Sequence, residues 1–346
     1  MNLERTNMKR FPFSSFPNGW FRVAYSKELT PGKVMPLYYF GKHLVLFRTE
    51  DGTPCVLDAH CPHMGAHLGY GQVEGNMIRC PFHHWGFNQD GNCINVPYTN
   101  KFSPKPRIHS WPVCEINGLI MVYHHSQGKA PTWKIPELSR WTANGWTSFK
   151  KHHWKVRTHV QEVAENSMDN AHFVYVHKLA YRALIDTSLE VDGPILTRHI
   201  KSKLAWGGKL GIEEDCSQEF TYHGLGYGVI YSSLKSIVDV STLVVILLTP
   251  IDEEYVDVHL LFSVQNLSIG LLTPLLHLKG MADCIESMEQ EIPIFENKIF
   301  VKEPLLSEGE GSIMQYRRWV QQFYSDEAEQ SITLNNLACL QENLTL

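Results

Sequence analysis

Two short stretches of the chain each set a cysteine beside a histidine: Cys61-Pro62-His63 and, after sixteen intervening residues, Cys80-Pro81-Phe82-His83. Thiolate and imidazole are ligands for soft and borderline metals. Both pairs lie next to proline and close to glycine, in "CPHMG" and "CPFHHWG", which is the chemistry of rigid loops rather than of helix or strand interiors. A mononuclear zinc site draws on the same ligand types, but zinc fingers typically put two cysteines on one arm and two histidines on the other. Here each arm supplies one of each. The mixed arms suit a dinuclear [2Fe–2S] centre with Cys61 and Cys80 on one iron and His63 and His83 on the other, whose neutral imidazoles raise the potential above that of an all-cysteine cluster. Such a group passes electrons one at a time. His84 competes with His83 for the last position, and His60 and His67 read as neighbours of the site.

A second constellation follows. "ENSMDNAHFVYVH" presents Glu165, Asn166, Asp169, His172 and His177 within thirteen residues. Helical spacing puts 169 and 172 on one face a turn apart, with 177 past a bend or on the next segment. Two neutral imidazoles with one carboxylate form the facial set of non-haem iron(II) oxygenases, which leaves coordination positions open. Nothing between His172 and His177 supplies that carboxylate. Of the eighteen histidines, isolated ones such as His223, His259 and His277 read as ordinary surface or core residues.

The elements that must hold these residues follow from pattern and composition. At 346 residues, 43% hydrophobic, the chain can bury two cores. A net charge of −5 without a clustered basic face excludes a nucleic-acid binder. No apolar run reaches the roughly 20 residues of a membrane span. The start, "MNLERTNMKRFPF", is charged with no apolar segment behind it, so a cytoplasmic location is expected. Eight irregularly spaced cysteines argue against a disulfide framework. Through about residue 125, short β-rich runs alternate with turns such as "EDG" and "QDG", predicting a small antiparallel β-domain. The proline- and glycine-containing "SQGKAPTWKIPELSRW" reads as a connection. Beyond it the pattern predicts a helix over "VQEVAENSMDNAHFVYVH", strands from 195 to 265 and a helix over "MADCIESMEQEIPIFENKIF", an α+β arrangement. The expected division is 15–128 and 129–346, with residues 1–14 packing on the second part. "STLVVILLTP" reads as a buried strand; "VDVSTLVVILLTP" and "VDVHLLFSV" suit either plain core or the lining of an apolar pocket.

The pattern C-x-H, sixteen residues, C-x-x-H, with its flanks, resembles the Rieske iron–sulfur motif, whose spacing favours His83 over His84. About ninety residues on, Asn166, Asp169, His172 and His177 match N-x-x-D-x-x-H-x-x-x-x-H, which resembles the mononuclear iron site of Rieske non-haem iron oxygenases. The resemblance implies an N-terminal all-β Rieske domain followed by an α+β catalytic domain with an antiparallel sheet and helices, of helix-grip type. It implies a monooxygenase that takes dioxygen and electrons ultimately from NAD(P)H through a flavin/iron–sulfur reductase or a ferredoxin. Asp169 would be a bridge between an iron-bound histidine and a cluster histidine rather than a ligand, and the assembly a head-to-tail homotrimer in which one subunit's cluster faces its neighbour's iron. The tail "EQEIPIFENKIFVKEPLLSEGEGSIMQYRRWVQQFY" resembles the branch of 3-ketosteroid 9α-hydroxylases and cholesterol 7-desaturases, implying hydroxylation or desaturation of a bulky apolar, steroid-like substrate. In that branch the third iron ligand is an aspartate in a context like Q-D-I. The matching position here is Glu291, a departure by one methylene, with Asp283, Glu286 and Glu289 as competitors in the same segment. Two other functions stay open: a Rieske O- or N-demethylase acting on a small aromatic or amine, and an electron carrier without oxygen chemistry.

Overall fold

The computed structural model describes residues 10–99, 106–138, 145–177, 181–206, 212–235, 239–267, 270–307 and 310–324. The end of the expected connection, Ser139, Arg140 and Trp141, and residues 325–346 of the second expected domain lie outside the described residues.

Strand β3 (Lys42–Arg48) shows how the N-terminal pattern becomes layers. Leu44 and Leu46, with Val56 of β4 (Pro54–Asp58), enter a core shared with Phe21 and Val122. Val45 and Phe47, with Cys55 and Leu57, enter the opposite one, which contains Cys61, Ile78, Cys80 and Phe87. Successive strand side chains point to opposite faces, so an unbroken apolar run serves two cores at once. Among the described residues three small antiparallel sheets result, ordered β1-β11-β10, β2-β3-β4-β9 and β5-β6-β7-β8, where β1 is Gly19–Tyr25, β2 Val34–Tyr39, β9 Ser110–Trp111, β10 Val113–Ile116 and β11 Leu119–His124. The third of them, formed by Gln72–Glu74, Met77–Arg79, Gly86–Asn88 and Cys93–Asn95, carries the second cysteine–histidine loop.

Among the later described residues a seven-stranded antiparallel sheet runs in the order β12-β18-β17-β16-β15-β14-β13, with β14 at Ile195–Trp206, β15 at Ile212–His223 and β16 at Tyr227–Lys235. It begins earlier than the alternating run at 195, with β12 (Lys150–Val156) and β13 (Tyr181–Asp192). In β17 (Val240–Pro250), Val245 and Leu247 pack with Trp20 and Met121 of the N-terminal sheet β1-β11-β10, while Val244 and Leu248 face the helical side. These runs are therefore core on both faces. Across the same junction Arg22 of β1 (Gly19–Tyr25) meets Asp257 of β18 (Val256–Val264) at 2.6 Å, and the Tyr39 hydroxyl donates to that carboxylate at 2.7 Å.

Four helices cover the other face of the sheet or its edge: α1 (Val160–Asn166), α2 (Asn170–Tyr175), α3 (Leu272–Asn297) and α4 (Ile313–Val320). The single helix expected over 160–177 is thus two. Asp169 breaks it by capping α2: its backbone is extended (φ −89°, ψ 120°) and its Oδ1 accepts from the Ala171 amide at 2.8 Å. A short carboxylate side chain favours caps over helix interiors because it supplies an acceptor to an orphan amide. Arg10 donates to the carbonyls of Phe295 and Lys298 at the end of α3, and Phe13 packs against His159, Phe300 and Tyr324.

Candidate metal centres

The two cysteine–histidine loops fold alike. The Cys61 amide donates to the Ala66 carbonyl and Gly65 donates back to Cys61, both at 2.9 Å; Cys80 donates to Trp85 at 2.9 Å and His84 back to Cys80 at 3.1 Å. The fourth residue after each cysteine has positive φ, Gly65 at 77° and His84 at 57°. His84 takes this strained position and is exposed, while the His83 ring lies 4.6 Å from that of His63. Both cysteines are buried. Burial pushes the Cys61 thiol up to about 11, against the lowering influence of the His63 and Met64 amides. Trp85 stacks on His63 with centroids 4.4 Å apart, and its indole donates to the Tyr98 hydroxyl at 2.7 Å. Nδ1 of His63 is buried with no hydrogen-bond partner among the described residues. A buried acceptor nitrogen without a donor, beside two buried thiols and a second imidazole, fits a [2Fe–2S] cluster. His60 and His67 lie outside this set: they pair with each other as an isolated bridge and cluster with His43.

At the second site His172, His177 and Glu291 bring their ligand atoms within 4.8 Å of one another. Glu291 Oε1 lies 2.8 Å from His177 Nε2 and 3.5 Å from His172 Nε2. The far nitrogens explain the orientation. Nδ1 of His172 is 2.8 Å from the Asp169 carbonyl, which can only accept, so that nitrogen carries a proton; Nε2 then keeps a lone pair for a metal in the neutral ring and donates to Glu291 in the protonated one. Nδ1 of His177 is 3.1 Å from Oε1 of Gln290, whose amide nitrogen donates onward to Glu286 at 3.4 Å. Their Nδ1 partners hold both rings with Nε2 directed at the carboxylate, as outer partners of metal-bound histidines do. The set fits a divalent iron. Phe173 lies against His172 at 4.1 Å and near Phe220 at 6.2 Å, giving the site an apolar wall.

Glu291 reaches the histidines because of its place on α3. Met281, Met288 and Phe295 are buried at seven-residue spacing and mark the face turned to the sheet; Glu291, three residues past Met288 and four before Phe295, shares it. Asp283, Glu286 and Glu289 lie off this stripe and are exposed, Asp283 paired with Lys279 at 2.8 Å. Burial alone raises the Glu291 carboxyl, but bonds from His172 and His177 outweigh it and hold it below its ordinary value. Burial lowers His177, and the Glu291 and Gln290 bonds reverse that, so its pKa is raised. A charged acceptor between two imidazoles is a seat for a cation.

Asp169 differs from its expected pose: it meets His172 through its backbone carbonyl, and its carboxylate Oδ1 serves the α2 cap. Asn166 ends α1, half-buried, and its carbonyl accepts from the Asp169 amide at 3.2 Å. Glu165 is not at the metal; it pairs with Arg317 at 2.7 Å. Of the three isolated histidines, His223 and His277 are buried and His259 bonds to Asp257. Sequence reasoning missed Gln290, one residue before Glu291, for which no local signal exists. The seven cysteines among the described residues are all free.

Residues 19–112 match the family model for the Rieske [2Fe–2S] domain, and residues 122–324 match that for the 3-ketosteroid 9α-hydroxylase C-terminal domain. The cholesterol 7-desaturase nvd of Xenopus laevis is 31% identical over 339 residues, 91% of this chain and 73% of the relative. The oxygenase component of a 3-ketosteroid-9-alpha-monooxygenase of Rhodococcus rhodochrous is 30% identical over 327 residues, 90% of this chain and 84% of the relative. In fold, dicamba monooxygenase bound to 3,6-dichlorosalicylic acid superposes with a TM-score of 0.70 at 18% identity, over 90% of this chain and 98% of that one. Motifs, domain matches and relatives agree, and the chain belongs to the Rieske non-haem iron oxygenases, in the family of the 3-ketosteroid 9α-hydroxylases and cholesterol 7-desaturases.

Proposed function

We propose that this chain is the terminal oxygenase component of a monooxygenase system that hydroxylates or desaturates a bulky, nearly apolar, steroid-like substrate. The observation that carries the reading is the convergence of His172, His177 and Glu291, from two elements far apart in sequence, in a chain that also holds a Rieske domain. Residues 15–128 form the Rieske domain, with Cys61, Cys80, His63 and His83 holding the cluster; residues 129–346 form the catalytic domain, with His172, His177 and Glu291 holding the iron. When bound, the cluster supplies single electrons and the iron supplies the activation of dioxygen. The protein's own part is placement. The Asp169 carbonyl and Gln290 keep both imidazoles in the metal-binding tautomer, and Phe173 and Phe220 keep water from the substrate side.

Electrons come from NAD(P)H through a separate flavin/iron–sulfur reductase or ferredoxin. The reading includes a homotrimer in which the Asp169 carboxylate of one subunit and a cluster histidine of the next are joined, with Asn166 steadying the segment. The rim of the cluster loops supports it: Met64 (66%), Tyr70 (74%), Phe82 (58%) and Tyr98 (62%) are exposed, an apolar collar of the kind that a partner covers. Among the described residues no helix is long and apolar enough to cross a membrane. We place the enzyme in the cytoplasm beside its electron donor.

The test is turnover of the purified chain with NADPH, a reductase and a panel of 3-ketosteroids, sterols and small methylated aromatics and amines, read by mass spectrometry. A steroid product one oxygen heavier or two hydrogens lighter is expected. Formaldehyde from the small substrates alone overturns the assignment in favour of a demethylase, and protein that never takes up mononuclear iron overturns it in favour of an electron carrier.

A further inference from the structure

The largest fully buried side chain among the described residues is an arginine. Arg198, 1% exposed, projects from β14 (Ile195–Trp206) toward the helices. Its Nη1 donates to the Ser167 carbonyl and its Nη2 to Oδ1 of Asn170. Ser167 and Asn170 bracket Asp169 in the joint between α1 and α2. On the neighbouring strand β15 (Ile212–His223), the Tyr222 hydroxyl bonds the Ser167 hydroxyl; Tyr222 lies opposite Leu196 and Arg198 opposite Phe220, so both side chains leave the sheet on one face. On its far side the joint is held by backbone bonds: Asn170 donates to the Glu310 carbonyl at 3.2 Å and Ser312 to the Met168 carbonyl at 3.3 Å. Between them Gly311 sits at φ +95°, where a Cβ would lie 2.2 Å from the Met168 carbonyl oxygen. The segment that presents Asp169 and starts α2 is thus gripped from both sides.

A guanidinium taken out of water costs several kcal/mol unless its donors are met, and a leucine would fill the same core without that cost. What arginine adds is a planar fork that binds two acceptors in one fixed geometry. The two acceptors here belong to the segment whose rotation decides where the Asp169 carbonyl and the His172 ring point.

We propose that Arg198 is a positioning residue of the iron site: its fork sets the turn between α1 and α2 and so aims His172 Nε2 at the place shared with His177 and Glu291. This rests on the reading of those three residues as the iron ligands. Arg198 touches neither metal nor substrate. Tyr222, bonded to Ser167 from the neighbouring strand, meets the same joint from the same face of the sheet.

The test uses the full-length protein with its cluster in place and the mononuclear site stripped by chelation, then titrated with Co(II) and read by its ligand-field bands. Arg198→Met should weaken Co(II) binding about tenfold or more, the scale for loss of an orienting partner of a metal ligand, with the Rieske absorbance unchanged. Arg198→Lys, which keeps the charge but not the fork, should recover only part of the affinity. Arg198→Met combined with Asn170→Ala should be no worse than the poorer single variant, since both remove one linkage. Should Arg198→Met fail to fold, Arg198→Lys and Asn170→Ala carry the test, and wild-type Co(II) affinity and band shape in both overturn the proposal. So does wild-type affinity in a folded Arg198→Met, which would leave the residue a packing role. His172→Ala serves as the control: if it still binds Co(II) normally, the ligand assignment itself is wrong and the proposal falls with it, whereas loss there with none in the Arg198 series refutes the positioning role alone.

Discussion

Replacing Gln290 by methionine removes the acceptor behind His177 while keeping length and helix propensity. The bond it removes is 3.1 Å long, half-buried and neutral on both sides, so it contributes about 0.5–1.5 kcal/mol net. Lost from the metal-bound state, that is a weakening of about 2- to 12-fold. The freed imidazole also regains its second tautomer, which presents N–H instead of a lone pair, for roughly a further factor of two. Together the expectation is about tenfold, at the weak end of the 10- to 100-fold range for outer partners of metal ligands, as suits a neutral amide rather than a carboxylate. The assay is Co(II) titration of the stripped mononuclear site, with Rieske absorbance and urea unfolding as controls. Affinity within twofold of wild type would refute the reasoning, because His177 would then be oriented by something other than Gln290.

Glu291→Ala should lose mononuclear iron with the Rieske spectrum intact, whereas Glu291→Asp should keep iron with altered turnover; metal analysis of both decides, and full occupancy in the alanine variant would point to another carboxylate. Asp169→Asn preserves an N-cap acceptor and the backbone carbonyl on His172, so it should retain both metals and stability yet lose most turnover, while Asp169→Ala should also cost about 1 kcal/mol in urea through the lost cap. Mixing an inactive His63→Ala protein with an inactive His172→Ala protein under subunit-exchanging conditions should restore part of the activity if electrons cross between chains; no recovery despite demonstrated exchange speaks against it. Asp257→Asn should destabilise by about 3–5 kcal/mol, since it leaves buried Arg22 unpaired. Burial alone raises the Asp257 carboxyl, but His259, Arg22 and Tyr39 hold it at about 2 against an ordinary 3.8, so the stabilisation its ionised form adds is full above pH 3.8 and is lost as pH falls through 2. The gap in urea midpoint between wild type and variant should therefore be constant from neutral pH to about 5 and narrow below 4.

The four proposed cluster residues could be named from the sequence because each loop is a local object. A cysteine, a proline, a histidine and a residue able to take positive φ lie within five positions, and the hydrogen bonds that shape the loop run from the cysteine to that last residue and to the one after it. The β-rich N-terminal part and the α+β second part were legible for a similar reason, since alternation and helical spacing record which face of an element is buried. The same logic was available for Glu291: the Met281, Met288, Phe295 stripe already separates it from Asp283, Glu286 and Glu289.

What only the tertiary structure decided depends on long-range register. That Glu291 meets His177 across 114 residues follows from how α3 lies on the sheet, which no local pattern states. The break at Asp169 is a competition between helix continuation and a cap, settled by anchors from residues 310–312 and from Arg198, and it turns the Asp169 carbonyl instead of its carboxylate onto His172. The apolar runs of β17 and β18 suited core or pocket equally until the N-terminal sheet was seen to cover one face and the helices the other. A side chain's chemistry is carried by its own residue and its near neighbours, whereas the partner it meets is set by the packing of elements whose contacts are distant in sequence and cooperative.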